Sequence, residues 1–270
     1  MPIELAGVRY RYAGASRDSL RRVDLHLEPG RVLGIAGANE SGKTTLCLVA
    51  SGFAPTVVGG RLEGFAGIDG IPTSSMPAHG LAQHCGLLFQ NASTQLTGTT
   101  TTVFEEVAFG PCSLGLKVRE VIERVSWALN AVGIEELAPR HPSRLSGGQA
   151  QLVALASVLA LRPGYLILDE PTSELDPAGT ALVADALVKV ATETGAGIML
   201  VEHKMDVLAR VADEVAVVAA GEIAMCGPAA ETLADPRLVD LGVEPPAEAR
   251  LRCEVAAAGL TWPAFSGGPS

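Results

Sequence analysis

The chain has 270 residues, with 20 lysines plus arginines against 30 aspartates plus glutamates, a formal net charge of −10. Binding to phosphate backbones needs a basic surface that releases counterions, so this balance argues against nucleic acid as a partner. Hydrophobic residues make up 48% and the mean hydropathy is +0.30, yet the longest apolar run, Leu152 to Leu161, is only ten residues, about half of the roughly 20 that a spanning helix needs.

At roughly 150 residues per domain the length allows one large domain or two small ones. Met1-Pro2-Ile3-Glu4 shows no basic stretch followed by an apolar one, so no secretory signal is expected and the chain is expected to stay in the cytosol. The five cysteines, Cys47, Cys85, Cys112, Cys226 and Cys253, are scattered and never spaced C-x-x-C, which argues against a disulfide framework and a zinc site. They are expected to be buried as small apolar side chains.

Ile3 to Tyr12 and Leu20 to Leu27 alternate as half-buried strands, and Pro29-Gly30 marks the turn after the second, so an antiparallel N-terminal sheet is expected. Arg31 to Ala36 forms a short apolar run, followed by a Gly-containing loop and a helix from Lys43 that Gly52 can close. Gly86 to Phe89 reads as a strand. Val118, Val121, Ile122, Val125, Leu129 and Val132 recur at helical spacing before Gly133, which predicts a helical subdomain inserted at about 91–160. Strand and helix then alternate: Tyr165 to Leu168, Ala178 to Thr194, Ile198 to Val201 and Val215 to Ala219. That pattern favours a parallel sheet covered by helices. Signals fade beyond Pro245, and 266–270 is expected to be a frayed tail.

Gly37-Ala38-Asn39-Glu40-Ser41-Gly42-Lys43-Thr44 matches G-x-x-x-x-G-K-[ST] between a predicted strand and a predicted helix, and Thr45 continues into that helix. Backbone N–H groups at a helix N-terminus aim at an anion there, Lys43 is placed for the β- and γ-phosphates, and the Thr44 hydroxyl for Mg²⁺. Tyr165-Leu166-Ile167-Leu168-Asp169-Glu170 is a buried strand carrying two carboxylates to its C-terminal end, where open α/β sheets bind ligands. Asp169 suits the Mg²⁺ shell and Glu170 suits polarising a water. In Leu145-Ser146-Gly147-Gly148-Gln149, Ser146 can cap the following helix, while the paired glycines also make a second anion site.

The phosphate loop, the L-S-G-G-Q string and the acidic strand, in this order, resemble the nucleotide-binding subunit of ATP-binding cassette (ABC) proteins, over about residues 3 to 250. The resemblance implies an α/β P-loop fold with a RecA-like parallel-sheet core, an N-terminal antiparallel β subdomain and an inserted α-helical subdomain: one cassette over 3–245 and an extension over 246–270. It implies an ATPase using ATP and Mg²⁺, in which two subunits sandwich two ATP molecules between the phosphate loop of one and the signature Ser146, Gly147, Gly148 and Gln149 of the other. By the same resemblance Tyr12 stacks on adenine, Gln90 approaches Mg²⁺ and the attacking water, Asp176 belongs to a loop linking the two sites while also capping a helix, and His203 contacts the γ-phosphate and holds Glu170 and water.

Phe89-Gln90-Asn91-Ala92-Ser93-Thr94-Gln95-Leu96 with Val103 to Pro111, Glu202-His203-Lys204, and Leu241 to Pro246 are similar to the energy-coupling-factor ATPases, which import vitamins, cobalt and nickel. That likeness implies a motor subunit of a membrane importer, peripheral on the cytoplasmic face, with a second ATPase subunit and an integral membrane subunit as partners. The competing expectation is a soluble ABC ATPase of cluster-assembly or clamp type. Glu40 stands where the family often has glycine, and either weakens ATP binding or contacts the partner. Ala150 and Leu152 replace residues that are usually basic, and Glu174 one that is usually small, which bears on the dimer interface.

Overall fold

The computed structural model describes residues 2–91 and 94–257, so Ala92, Ser93 and the tail expected at 266–270 lie outside it. The strands are β1 (Ile3–Arg11), β2 (Leu20–Leu27), β3 (Val32–Ala36), β4 (Arg61–Ile68), β5 (Ile71–Pro72), β6 (Cys85–Leu88), β7 (Tyr165–Asp169), β8 (Gly197–Val201), β9 (Glu214–Ala219) and β10 (Glu222–Pro228). Between them lie α1 (Lys43–Ala50), α2 (Phe53–Thr56), α3 (Ala78–His84), α4 (Val103–Ser113), α5 (Val118–Ala131), α6 (Gly147–Leu159), α7 (Pro177–Thr194) and α8 (Met205–Val211), and after the last strand follow α9 (Ala229–Thr232), α10 (Arg237–Asp240) and α11 (Ala247–Ala257).

The central sheet runs β10-β9-β3-β8-β7-β6, and only the edge strand β10 is antiparallel, so the core expected to be parallel is mixed by one hairpin. Ala220 and Gly221, with φ of 48° and 82°, form the two-residue turn of that hairpin, the backbone that matches the twist of paired strands. Every residue of β3, β7 and β8 is buried, the signature of strands covered on both faces. Alternate side chains serve two cores. Leu166, Leu168, Ile198 and Leu200 join the layer of α4 to α8, while Ile35, Ile167, Met199 and Val201 face α1 and the N-terminal sheet.

The N-terminal sheet is antiparallel as expected, but has two more strands than the two read from the sequence, in the order β2-β1-β4-β5. β4 contains Gly64 and Gly67, which break a strand pattern. Gly64 has φ of +86°, and a Cβ there would stand 2.6 Å from the Gly7 carbonyl oxygen, at the irregularity where β1 and β4 shift register. The glycine therefore fits a bulge and does not end the strand.

Helices α4, α5 and α6 lie in the chain between β6 and β7, where the helical insertion was expected. α4 begins with a reciprocal capping box of Thr102 and Glu105. Beyond Pro245, where the sequence signals fade, α11 follows, its first N–H donating to Asp206 Oδ1 at 2.9 Å. The expectation of five buried cysteines fails. Cys47 and Cys85 are buried, and burial pushes the Cys85 thiol up to about 12, but Cys112 and Cys226 are exposed. The Cys253 side chain lies outside the described set.

Candidate functional site

The sheet order brings the motifs to one edge. Parallel strands β3, β8, β7 and β6 are successive neighbours, and from their carboxyl ends emerge the phosphate loop, His203, Asp169-Glu170 and Gln90. They surround a cleft of about 600 Å³, lined by Asn39, Glu40, Gly42, Lys43, Thr44, Thr45, Gln90, Glu170 and His203.

Gly37 has φ of +154°, and a Cβ on it would meet the Val218 carbonyl oxygen at 2.4 Å, so only glycine lets the loop pass the end of β9. Ser41 O accepts from Gly221 N at 2.8 Å, which ties the loop to the β9–β10 turn. Gly42 caps α1 in a left-handed conformation without a side-chain cap, so the first N–H groups of the helix remain for an anion. Lys43 is 6% exposed and its Nζ donates to the Gly37 and Ala38 carbonyls at 2.9 and 2.8 Å. Burial lowers its pKa, opposed by the carboxylates of Glu170 and Asp169.

Asp169 is 1% exposed, and apart from the neighbouring Thr44 hydroxyl its buried carboxylate oxygens have no hydrogen-bond partner among the described residues. Burial raises its pKa, the nearby Thr44 hydroxyl opposes the rise, Glu170 adds to it, and the charges of Lys43 and His203 oppose it. A buried carboxylate so under-satisfied beside a hydroxyl is a donor set that suits a small hard cation completed by water and phosphate oxygens.

Glu170 Oε2 accepts from Gln90 Nε2 at 2.9 Å, and its Oε1 lies 2.9 Å from His203 Nε2. Three side chains from three strand ends thus meet at one carboxylate. Glu170 holds φ of +54°, a conformation costly for a non-glycine residue, while its N–H donates to Val201 O at 3.0 Å. Gln90 is held indirectly: Gln95 Oε1 accepts from Phe89 N at 2.8 Å and Gln95 Nε2 donates to Leu87 O at 3.0 Å. The buried Glu106 carboxylate gathers Thr97 and Thr100 onto α4.

Not all the candidate residues come together. Ser146, Gly147, Gly148 and Gln149 are absent from the cleft lining. Ser146 and Gln149 form a capping box on α6, at 3.1 and 3.3 Å, and the loop is open to solvent. Asp176 caps α7 through Gly179 N at 2.7 Å. Tyr12 stands outside the cleft lining, half-buried, its hydroxyl 3.1 Å from that of Thr45 and its ring edge-on to Tyr10. Ala150 faces the core, 7% exposed, so it does not present a side chain to a partner as a basic residue there would. Glu174 touches the signature loop of its own chain: a Cβ on Gly147 would be 3.3 Å from Glu174 Oε2.

The structure adds cleft residues that no motif marked, including Arg17 and Arg21. Their signal was a cluster of arginines between Arg9 and Arg22 in an otherwise acidic chain.

Residues 20–173, more than half of the chain, match the family model described as ABC transporter. The chain belongs to this family. The nickel import ATP-binding protein NikO of Rhodobacter capsulatus is 40% identical over 86% of this chain and 91% of its own length. Among solved structures, cbiO1 of Clostridium perfringens, part of the ABC transporter complex cbiONQ, superposes with a TM-score of 0.77 at 28% identity, covering 95% of this chain and 96% of that one. A dimeric post-hydrolysis state of an ATP-binding cassette, bound to ADP and Pi, superposes with a TM-score of 0.74 at 25% identity over 84% and 98% of the two chains. The fold is that of ABC ATPase cassettes, and the chain is an ATP-binding ATPase.

Glu40 also lines the cleft, with φ of +62°. Left-handed backbone is strained for glutamate and free for glycine, and a carboxylate at the rim of an anion-binding cleft repels a triphosphate unless it turns outward. Glu40→Gly is therefore expected to raise ATP affinity about threefold to tenfold, the order of one screened like-charge contact. A nucleotide titration at fixed ionic strength checks it, and unchanged affinity means that the carboxylate turns away from ATP.

Proposed function

We propose that the chain is the ATP-hydrolysing motor subunit of a membrane importer of the energy-coupling-factor type, for a vitamin or a transition metal ion. The observation that carries the catalytic part is the Gln90–Glu170–His203 line at the phosphate-loop cleft. Glu170 accepts a proton from the attacking water as its oxygen bonds to the γ-phosphorus. The bond to the β–γ bridging oxygen breaks, and ADP and inorganic phosphate leave. His203 and Gln90 orient carboxylate and water, and Lys43 with the loop N–H groups stabilises the transferring phosphoryl group. Thr44, Asp169 and Gln90 are the residues that would hold Mg²⁺, which neutralises phosphate charge when bound. Tyr12 provides the ring for adenine.

The exposed signature loop, outside this cleft, supports a second subunit: Ser146, Gly147 and Gly148 of one chain complete the ATP site of the other, and Asp176 lies on the loop between them. The importer assignment rests on the relatives, one named for nickel import and one part of a transporter complex. No helix among the described residues is long and apolar enough to cross a membrane; in the proposed reading a separate integral membrane subunit forms the pathway and this chain works at its cytoplasmic face. An apolar cavity of about 320 Å³ beside the Gln90 loop, with half-exposed Phe109 on its rim, suits that subunit. Co-expression with a candidate membrane subunit should carry the chain into the membrane fraction and co-purify it. Entirely soluble protein would favour the cluster-assembly or clamp alternative.

A further inference from the structure

His203 is flanked by two charged side chains that the hydrolysis scheme leaves without a task. The chain bends at His203 just past the end of β8, and on either side of the bend Glu202 and Lys204 both reach the loop after Glu170, neither lining the cleft. Glu202 is 2% exposed, and its Oε1 accepts from Thr172 N at 3.2 Å and from the Thr172 hydroxyl at 2.7 Å. Lys204 Nζ donates to Thr172 O at 2.8 Å, to Leu175 O at 3.2 Å and to the Thr180 hydroxyl at 2.9 Å. Every polar group of Thr172 is thereby held by the two neighbours of His203.

The clamped loop reaches further. Ser173 N donates to Glu170 O at 3.2 Å, and Asp176 closes the loop by capping α7. Between them, Glu174 lies against the signature glycines, its carbonyl oxygen 3.1 Å from where a Gly148 Cβ would be. A contiguous path of contacts therefore runs from the strand end carrying His203, through Glu202 and Lys204, into Thr172–Asp176 and onto Gly147-Gly148. A buried carboxylate and an ammonium that satisfy several backbone groups make a well-defined junction, because breaking it strands those groups away from water.

We propose that Glu202 and Lys204 are positioning residues that lock the Thr172–Asp176 loop to the His203 strand end and so hold the signature loop in the geometry that receives the second subunit's ATP. This rests on the two-subunit reading above. The clamp touches neither nucleotide nor reacting atoms of its own cleft, so its loss should weaken pairing of subunits and turnover while sparing ATP binding to the single chain.

The test introduces Lys204→Met into Glu170→Gln full-length protein and compares the two by light scattering at saturating MgATP, with ATP affinity of the unpaired chain from titration at low protein concentration. The expected result is at least a tenfold weaker dimer in the double variant, with single-chain ATP affinity within about twofold. In the otherwise wild-type chain, Lys204→Met should lower kcat at least tenfold and leave KM within about threefold. Equal dimerisation of the two proteins overturns the clamp, as does a matching loss of single-chain ATP affinity. Failure of Glu170→Gln itself to dimerise would instead overturn the two-subunit reading. Should Lys204→Met not fold, Thr180→Val removes one of the three acceptors with little change of shape, and a threefold or larger weakening of the dimer is then expected, unchanged dimerisation again overturning the clamp.

Discussion

Replacing Glu170 by glutamine is expected to lower kcat for ATP hydrolysis by about 100- to 10,000-fold, the range that removal of a positioned base produces, while ATP affinity stays within about threefold. The amide has nearly the shape of the carboxylate. Its remaining oxygen can still accept from Gln90, which donates to Glu170 at 2.9 Å, so the architecture of the cleft survives. What disappears is the group that takes a proton from the attacking water. Glu170 also carries φ of +54°, and glutamine tolerates that backbone no better and no worse, so the change isolates chemistry from strain. Single-turnover hydrolysis beside equilibrium binding checks the expectation. Turnover at the wild-type rate would remove Glu170 from the mechanism.

Lys43→Ala is expected to weaken ATP binding by about 100-fold or more, since hydrogen bonds to charged groups contribute about 1.5–3 kcal/mol each and Lys43 can make two to a triphosphate. Its Nζ rests on the carbonyls of Gly37 and Ala38, so the ammonium already stands over the loop and needs a short swing to reach phosphate oxygens. Burial lowers its pKa, while Glu170 and Asp169 act to keep it charged. The alanine variant also leaves the Gly37 and Ala38 carbonyls without their ammonium donor. Isothermal titration with ATP, accompanied by a thermal melt showing a folded chain, separates lost affinity from lost structure. Tight binding retained by a folded Lys43→Ala would contradict the role given to the phosphate loop.

Much of the central sheet was legible because its strands are buried on both faces: β3, β7 and β8 read as short apolar runs between turn signals, and the strands extend only a residue or so from where the pattern put them. Asp176 marked the cap of α7, and the glycines of the phosphate loop marked a backbone that other residues cannot follow. Strands β4 and β10 were not legible. In β4 Gly64 accommodates a bulge against the partner strand, a requirement set by a neighbour far away in the chain. β10 lies on the sheet edge and alternates only between exposed and half-buried, so its sequence carries little periodic contrast.

The candidate site divides in the same way. Phosphate-loop residues follow from local pattern. The meeting of Gln90, Glu170 and His203 depends on the order of β6, β7 and β8, which no local pattern encodes and which was expected only through the family resemblance. Arg17 and Arg21 enter the cleft because β2 runs beside the β9–β10 turn, and the contacts of Glu202 and Lys204 depend on a loop thirty residues earlier.

The number of chains that make one ATP site decides the proposed mechanism most directly. Light scattering of the full-length Glu170→Gln protein, with ATP and Mg²⁺ and again with ADP, measures it. With ATP the mass should double, with one nucleotide per chain, because each chain offers a phosphate-loop cleft and, apart from it, an exposed signature loop; with ADP it should return to that of a single chain. A chain that binds ATP at saturation yet keeps the mass of a monomer would contradict the account.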